Sequence, residues 1–305
     1  MDAPILEENK VDRINRLVRS LNKFKDALSI EAIDVRSEEV LKNVKLLAQE
    51  IEASYDLIRE PQLRDLRQLH ENIAPILIHA NLYESAVSAM KCVEKSEETL
   101  EGLPRDYVLA RETADEFKRF RESINSLVRK SLKEVTSYLR SINLLPKVSV
   151  IQNSLVGDML ERYYLPKLME REGYTTKHRI VHTSIGDVQV DVRAEKDYSV
   201  GFENLERLKG KDVIIIEVKT TIKDEYITDH SKTSKAIHEI YRKDSELWKY
   251  ELRFQTWLVA CYGWNDHLKD YAKREGIIPI DRQELETRLG KHSLLDRSRP
   301  PCPKQ

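Results

Sequence analysis

Asp191, Glu217 and Lys219 are the residues of this chain whose types and spacing can do chemistry together. In Val213-Ile-Ile-Ile-Glu217-Val-Lys219 an apolar run ends in a carboxylate and an ammonium two positions apart. Alternate residues of a strand share a face. The run therefore predicts a β-strand, over about 212–222, with Val213, Ile215, Glu217 and Lys219 on one side and Ile214, Ile216 and Val218 on the other. Val188-Gln-Val-Asp191 predicts a neighbouring strand, over about 187–195, that sets Gln189, Asp191 and Arg193 opposite Val188, Val190 and Val192. Mg²⁺ takes oxygen ligands, keeps several waters and needs only one or two carboxylates beside a substrate phosphate. Two carboxylates next to a lysine thus suit phosphodiester hydrolysis. Asp191 and Glu217 would be the metal ligands, with the Val218 carbonyl between Glu217 and Lys219 as a further one. Lys219 would orient the attacking water and offset charge in the transition state. Asp187 is a competing acid, nearer the start of its strand.

The Asp…Glu-x-Lys pattern on consecutive strands resembles the PD-(D/E)xK nuclease superfamily, the fold of many restriction enzymes and Holliday-junction resolvases. Gly157-Asp-Met-Leu-Glu161-Arg-Tyr-Tyr-Leu-Pro166 resembles that family's first core helix, which often contributes an acid, and Glu161 matches it. Leu252-Arg-Phe-Gln255-Thr-Trp-Leu-Val-Ala-Cys-Tyr262 resembles the later helix and strand, with Gln255 placed to position water or phosphate. Tyr271-Ala-Lys-Arg-Glu-Gly276-Ile-Ile-Pro-Ile280 resembles the closing helix, glycine and short strand. The likeness covers roughly residues 150 to 285. It implies an α/β restriction-endonuclease-like core, a mixed sheet flanked by helices. It also implies a Mg²⁺ cofactor, with Mn²⁺ able to substitute, and hydrolysis of DNA. A helical region ahead of such a domain resembles archaeal coiled-coil nuclease-like proteins. Two departures stand out: Val190 replaces the proline of the motif, and the interval from Asp191 to Glu217 is long, predicting a loop or short helix over 195–211.

These side chains must be positioned by the elements around them. Residues 1–146 read as a helical or coiled-coil region, 147–290 as the nuclease-like domain and 291–305, with Pro300, Pro301 and Pro303, as a disordered tail. In the first region Val11, Ile14, Leu17, Leu21 and Phe24 recur at helical spacing, as do Val40, Val44, Leu47 and Ile51. A helix over 62–92 follows, which Pro75 is expected to kink or split. Phe117, Phe120, Ile124, Val128, Leu132, Val135, Leu139 and Ile142 form a seam with steps of three or four residues, that of a coiled coil or antiparallel bundle. The seam leads to the expectation of a homodimer through this region. Beyond it the predicted order is a helix over 152–172, strands over 177–183, 187–195 and 212–222, and a polar segment over 223–245. A helix over 246–256, a strand over 257–262, a helix over 265–275 and a strand over 277–280 complete it.

Composition bounds the function classes. The formal net charge of −1, from 51 Lys and Arg against 52 Asp and Glu, excludes a uniformly basic binder but not a local basic surface. No 18-residue apolar run exists to span a membrane. Cys92, Cys261 and Cys302 form neither a disulfide framework nor a zinc pattern, so a reducing cytoplasm is the expected compartment. No G-x-x-x-x-G-K-[ST] loop is present for an ATPase. The alternative to a metal-dependent nuclease is a catalytically inactive nuclease-fold module that binds nucleic acid or acts as a scaffold, assembling through its coiled coil.

Overall fold

The computed structural model describes residues 3–29, 33–102, 108–177, 179–200, 208–243 and 250–289. The tail expected over 291–305 lies outside them. The chain forms two compact units, Met1–Gln152 and Asn153–Gln305.

The first unit is helical: α1 (Ala3–Leu28), α2 (Ile33–Glu52), α3 (Glu60–Glu101) and α4 (Val108–Ile142). Most of its apolar stripes are buried as the spacing predicts, with Leu17, Leu21, Phe24, Val44, Leu47, Ile51, Leu66, Ile73, Ile76, Ile124, Val135 and Leu139 withdrawn from solvent, whereas Phe120 of the expected α4 seam is exposed. Helices α3 and α4 run antiparallel. Asn72 accepts from Tyr138 at 3.1 Å, His79 meets Ser131 at 3.0 Å, and Glu97 pairs with Arg121 at 2.9 Å. The expected break at Pro75 does not occur, and α3 continues through it for 42 residues. Proline costs an interior helix one hydrogen bond and a clash. Burial of Ile73 and Ile76 on either side holds the axis through it.

The boundary between the units falls at Gln152 inside α5 (Leu144–Met159), a few residues beyond the expected division at 146. The helix expected over 152–172 is composite: α5, then a π-helical turn at Leu160–Tyr164, then α6 (Leu165–Arg171). In the turn the Leu165 N–H reaches back five residues to the Leu160 carbonyl. Leu160, Tyr164, Leu165, Leu168 and Met169 are buried along it.

A mixed five-stranded sheet follows. Its strands are β1 (Thr175–Lys177), β4 (Val192–Val200), β5 (Leu208–Lys219), β6 (Tyr250–Ala260) and β7 (Ile277–Ile280), hydrogen-bonded in that order. Strand β4 runs antiparallel to both its neighbours, β1 and β5; β5, β6 and β7 are parallel. A separate hairpin joins β2 (Ile180–Thr183) to β3 (Gly186–Gln189). Strand β5 has both faces covered: Val213, Ile214, Ile215 and Ile216 are at most 1% exposed. That is why its sequence is a continuous apolar run rather than an alternating one. On one face lie α7 (Asp224–Lys243) and α8 (Asp266–Arg274), packed through Ile227, Ile237 and Ala272 onto Val213, Ile215 and Leu258. Helix α9 (Arg282–Leu289) ends the described chain, with Arg288 over the Trp257 ring at 4.8 Å.

Three expected elements are corrected. The polar segment over 223–245 is largely α7, because Ile227, His230, Ser231, Ser234 and Ile237 form a buried stripe at helical spacing. Their small or polar character hid that stripe. Of the helix expected over 246–256, the described residues 250–256 are instead the first half of β6, paired in parallel along β5 from Lys209 onward. Where a loop or short helix is expected over 195–211, the described residues are strand, as β4 runs to Val200 and β5 starts at Leu208.

Gly210 on β5 lies opposite Tyr198 of β4, whose ring covers it. A Cβ there would stand 2.1 Å from Tyr198 Cζ. The displaced ring would lose its Arg253 guanidinium, 4.6 Å from the centroid, and the 3.3 Å bond its hydroxyl donates to the Glu251 carbonyl. Gly210→Ala is expected to cost about 1–3 kcal/mol. Urea unfolding should show part of that loss recovered when Tyr198→Ser is added.

Candidate active site

The end of β5 brings together four of the residues singled out from the sequence. Glu217 and Lys219, two apart on one strand face, meet at 2.5 Å between Nζ and Oε1. Asp191 approaches from the neighbouring strand pair, although not from within a strand. The single strand expected over 187–195 breaks at Val190-Asp191, between β3 and β4. The break has a local cause: the Val190 N–H donates to the Arg179 carbonyl at 3.0 Å, and the Arg179 Nε donates to the Val190 carbonyl at 3.1 Å. This double clasp ties the base of the β2–β3 hairpin and turns the chain into β4. At the bend, Asp191 Oδ2 accepts the Val218 N–H at 2.7 Å. A side-chain oxygen thereby fixes the backbone midway between Glu217 and Lys219.

Glu161 comes from the π-helical turn. It joins the cluster through Arg179, whose Nη2 donates to Glu161 Oε2 at 2.9 Å and to Asp191 Oδ1 at 3.1 Å. All five side chains are partly shielded, Asp191 most deeply at 15% exposed and Lys219 least at 31%. Three carboxylates against the two cations, Arg179 and Lys219, leave one negative charge in excess.

The electrostatics follow from this crowding. Burial raises the Glu217 carboxyl above its ordinary range, and the Asp191 and Glu161 charges add to that against the pull of Lys219. Burial likewise raises Glu161; Asp191 reinforces it and Arg179 opposes it. Burial alone would lower the Lys219 ammonium, but Glu217, Asp191 and Glu161 outweigh it and its pKa is raised overall. Lys219 therefore stays charged at neutral pH and acts as a cation rather than a base. Cys261, nearly buried, has its thiol pushed up to about 12, by burial first and by Glu161 and Asp191 after it, so it is no nucleophile.

Gln255 is not brought here. It lies on β6 rather than on a helix, paired with Ile214. Alternation puts it on the sheet face opposite Glu217, which pairs with Leu258. Its Oε1 accepts the Trp257 indole N–H at 3.0 Å. Asp187 is also remote, on the β2–β3 hairpin in an exposed pair with His182. Two neighbours went unnoticed in the sequence. Arg179 had no motif to mark it, and Tyr226 belongs to the stretch read as a polar segment. The Tyr226 ring lies 5.6 Å from Lys219 Nζ and 5.5 Å from Lys223 Nζ.

His230 supports the site from behind. Buried on α7, its Nε2 donates to the Trp257 carbonyl at 3.0 Å. Burial lowers its pKa to about 4, and the charge of Lys219 adds to that against the carbonyl's pull. Because the folded value lies below the unfolded one, its contribution is complete above about pH 6.5 and is lost as pH falls towards 4. The loss is roughly 3 kcal/mol. Urea unfolding of wild type and His230→Gln should diverge progressively from pH 4.5 to 6.5, the wild type gaining stability with pH more steeply.

Hard divalent cations take carboxylate and carbonyl oxygens, so Asp191, Glu217 and Glu161 fit one in kind. Among the described residues, however, no group of three or more His, Cys, Asp or Glu side chains stands in metal-holding geometry. Arg179 and Lys219 take up their oxygens instead. Among the described residues no helix is long and apolar enough to cross a membrane. Compared with protein-family models, with curated proteins and with solved structures, the chain matches none.

Proposed function

We propose that the second unit is a metal-dependent nuclease of restriction-endonuclease-like fold that hydrolyses phosphodiester bonds, in DNA, with Mg²⁺ or Mn²⁺ held by carboxylates. The observation that carries this reading is the convergence of Glu161, Asp191 and Glu217 around Lys219 at the end of a buried strand, where burial and the charge of Asp191 raise the proton affinity of both glutamates. A fold does not collect three acids at a strand end to gain stability, since each carboxylate is desolvated and repelled by the others. Perturbed carboxyls gathered at one point mark a functional site more often than a structural one.

Asp191 and Glu217 would be the principal ligands, with Glu161 and the Val218 carbonyl beside them. When bound, the ion would lower the pKa of a water and neutralise charge on the phosphate. Lys219, held cationic by Glu217, would orient that water and stabilise the charge that develops on the phosphoryl oxygens. Asp191 fixes the Val218 peptide through its N–H and so sets the spacing of Glu217 and Lys219. His230 remains neutral at physiological pH and anchors α7 to β6 without adding charge near Lys219. The helical unit would serve to pair two copies or to clamp substrate.

The closure of the acids by Arg179 and Lys219 favours a second reading, an inactive nuclease fold that binds nucleic acid or acts as a scaffold. Labelled single-stranded, duplex and branched DNA, incubated with Mg²⁺, Mn²⁺ or EDTA, separates the two. Cutting that requires metal and is absent from Lys219→Ala establishes the nuclease and its substrate shape. Binding without cutting under either metal establishes the inactive module.

A further inference from the structure

Arg179 gives its guanidinium to both acids that enter from outside β5. One nitrogen, Nη2, serves Glu161 Oε2 at 2.9 Å and Asp191 Oδ1 at 3.1 Å. The same side chain is anchored by Nε at the Val190 carbonyl, and its own backbone carbonyl accepts the Val190 N–H. Arg179 is therefore held by the hairpin base, with its charge placed between two carboxylates from different elements. Lys219 differs, because it faces Glu217, its neighbour on the same strand.

We propose that Arg179 is the resident counter-cation of this site: it occupies the position between Glu161 and Asp191 in the metal-free protein and competes with a divalent ion for them. The inference rests on the metal-dependent reading above. A guanidinium tethered to the fold is always charged and pairs with carboxylates through directed hydrogen bonds. It keeps the acids from repelling one another open while no metal is present. A divalent ion must break two charge-assisted hydrogen bonds to reach Glu161 and Asp191, which lowers its apparent affinity. The freed guanidinium then has the geometry to take a phosphate oxygen pair, so a phosphodiester that engages Arg179 favours metal entry. Metal and substrate would thus bind with positive coupling.

The test is titration of Mn²⁺ into the full-length protein by isothermal titration calorimetry, in the absence of nucleic acid. Wild type is compared with Arg179→Gln and Arg179→Lys. A charge-assisted hydrogen bond is worth about 1.5–3 kcal/mol, so Arg179→Gln should bind Mn²⁺ roughly tenfold more tightly or better. Arg179→Lys keeps the charge but loses the planar fork, and should fall between the two. Equal or weaker binding by Arg179→Gln, with circular dichroism and melting unchanged, overturns the inference. Should Arg179→Gln fail to fold, Arg179→Lys decides: affinity at or below the wild-type value overturns it. If wild type binds Mn²⁺ and neither variant binds more tightly, the inference alone falls. If none of the three binds, the metal-dependent reading falls with it.

Discussion

Lys219→Ala is expected to lower metal-dependent cleavage by about a hundred- to a thousandfold. The ammonium lies on the same strand face as Glu217, two residues beyond it, and Glu217, Asp191 and Glu161 hold it charged. A single preorganised donor aimed at developing charge has an effect of that size in shielded sites. The variant also leaves Glu217 without its 2.5 Å partner. Its carboxyl should become still harder to ionise, so the residual cleavage should shift to higher pH. Single-turnover rates against pH, at saturating Mn²⁺, would check both parts. A loss confined to substrate affinity, with the rate of the bound complex unchanged, would place Lys219 in binding rather than in chemistry.

Glu217→Gln is expected to abolish cleavage, by about a thousandfold or more, and yet to raise the melting temperature of the metal-free protein. The second half follows from linkage. Folding raises the Glu217 carboxyl, first by burial and then through Asp191 and Glu161. A group whose pKa rises on folding contributes stability below its unfolded value and loses it as pH climbs through the folded one. At neutral pH ionised Glu217 therefore opposes folding, and the neutral amide removes that opposition. Mn²⁺ should reverse the ranking, because a ligand stabilises only the protein that binds it. Differential scanning calorimetry of both proteins at pH 7.5, with EDTA and with Mn²⁺, reads all four states. A variant less stable than wild type in EDTA would mean that the Lys219 pairing outweighs the repulsion from Asp191 and Glu161.

Much of the site was legible because strand periodicity is short and unambiguous. Once Val213–Ile216 reads as strand, Glu217 and Lys219 share a face by necessity. Glu161 was legible only through resemblance, as helical spacing does not distinguish a site acid from a solvated one, and the π-helical turn leaves no mark in the composition. Asp191 was found for the right residue but on the wrong element. The bend depends on Arg179 hydrogen bonds from eleven positions upstream, and local alternation cannot register them. Gln255 failed for the opposite reason. Leu252-Arg-Phe-Gln-Thr-Trp contains aromatic and branched residues that suit a strand, and the resemblance assigned it to a helix. Helix α7 was missed because its buried stripe uses His230, Ser231 and Ser234, residues that ordinarily belong on surfaces. In the helical unit, by contrast, the buried stripes are made of aliphatic residues and Phe24, whose spacing is plain in the sequence.

The π-helical turn makes the site depend on a count of residues as well as on their identities. An α-helix turns by about 100° per residue. Removing one residue between Leu160 and Tyr164 would close the turn into regular α-helix; because the five residues of the wide turn cover nearly the rotation of four α-helical ones, the helix on either side would stay in phase while the wide turn itself was lost. Leu165, Leu168 and Met169 would then keep their places, and Glu161 would lose the wide turn that carries it. A deletion that a surface loop would absorb would here separate an acid from its partners without altering a single functional side chain. The same change offers a route by which a lineage could silence such a site while keeping its fold.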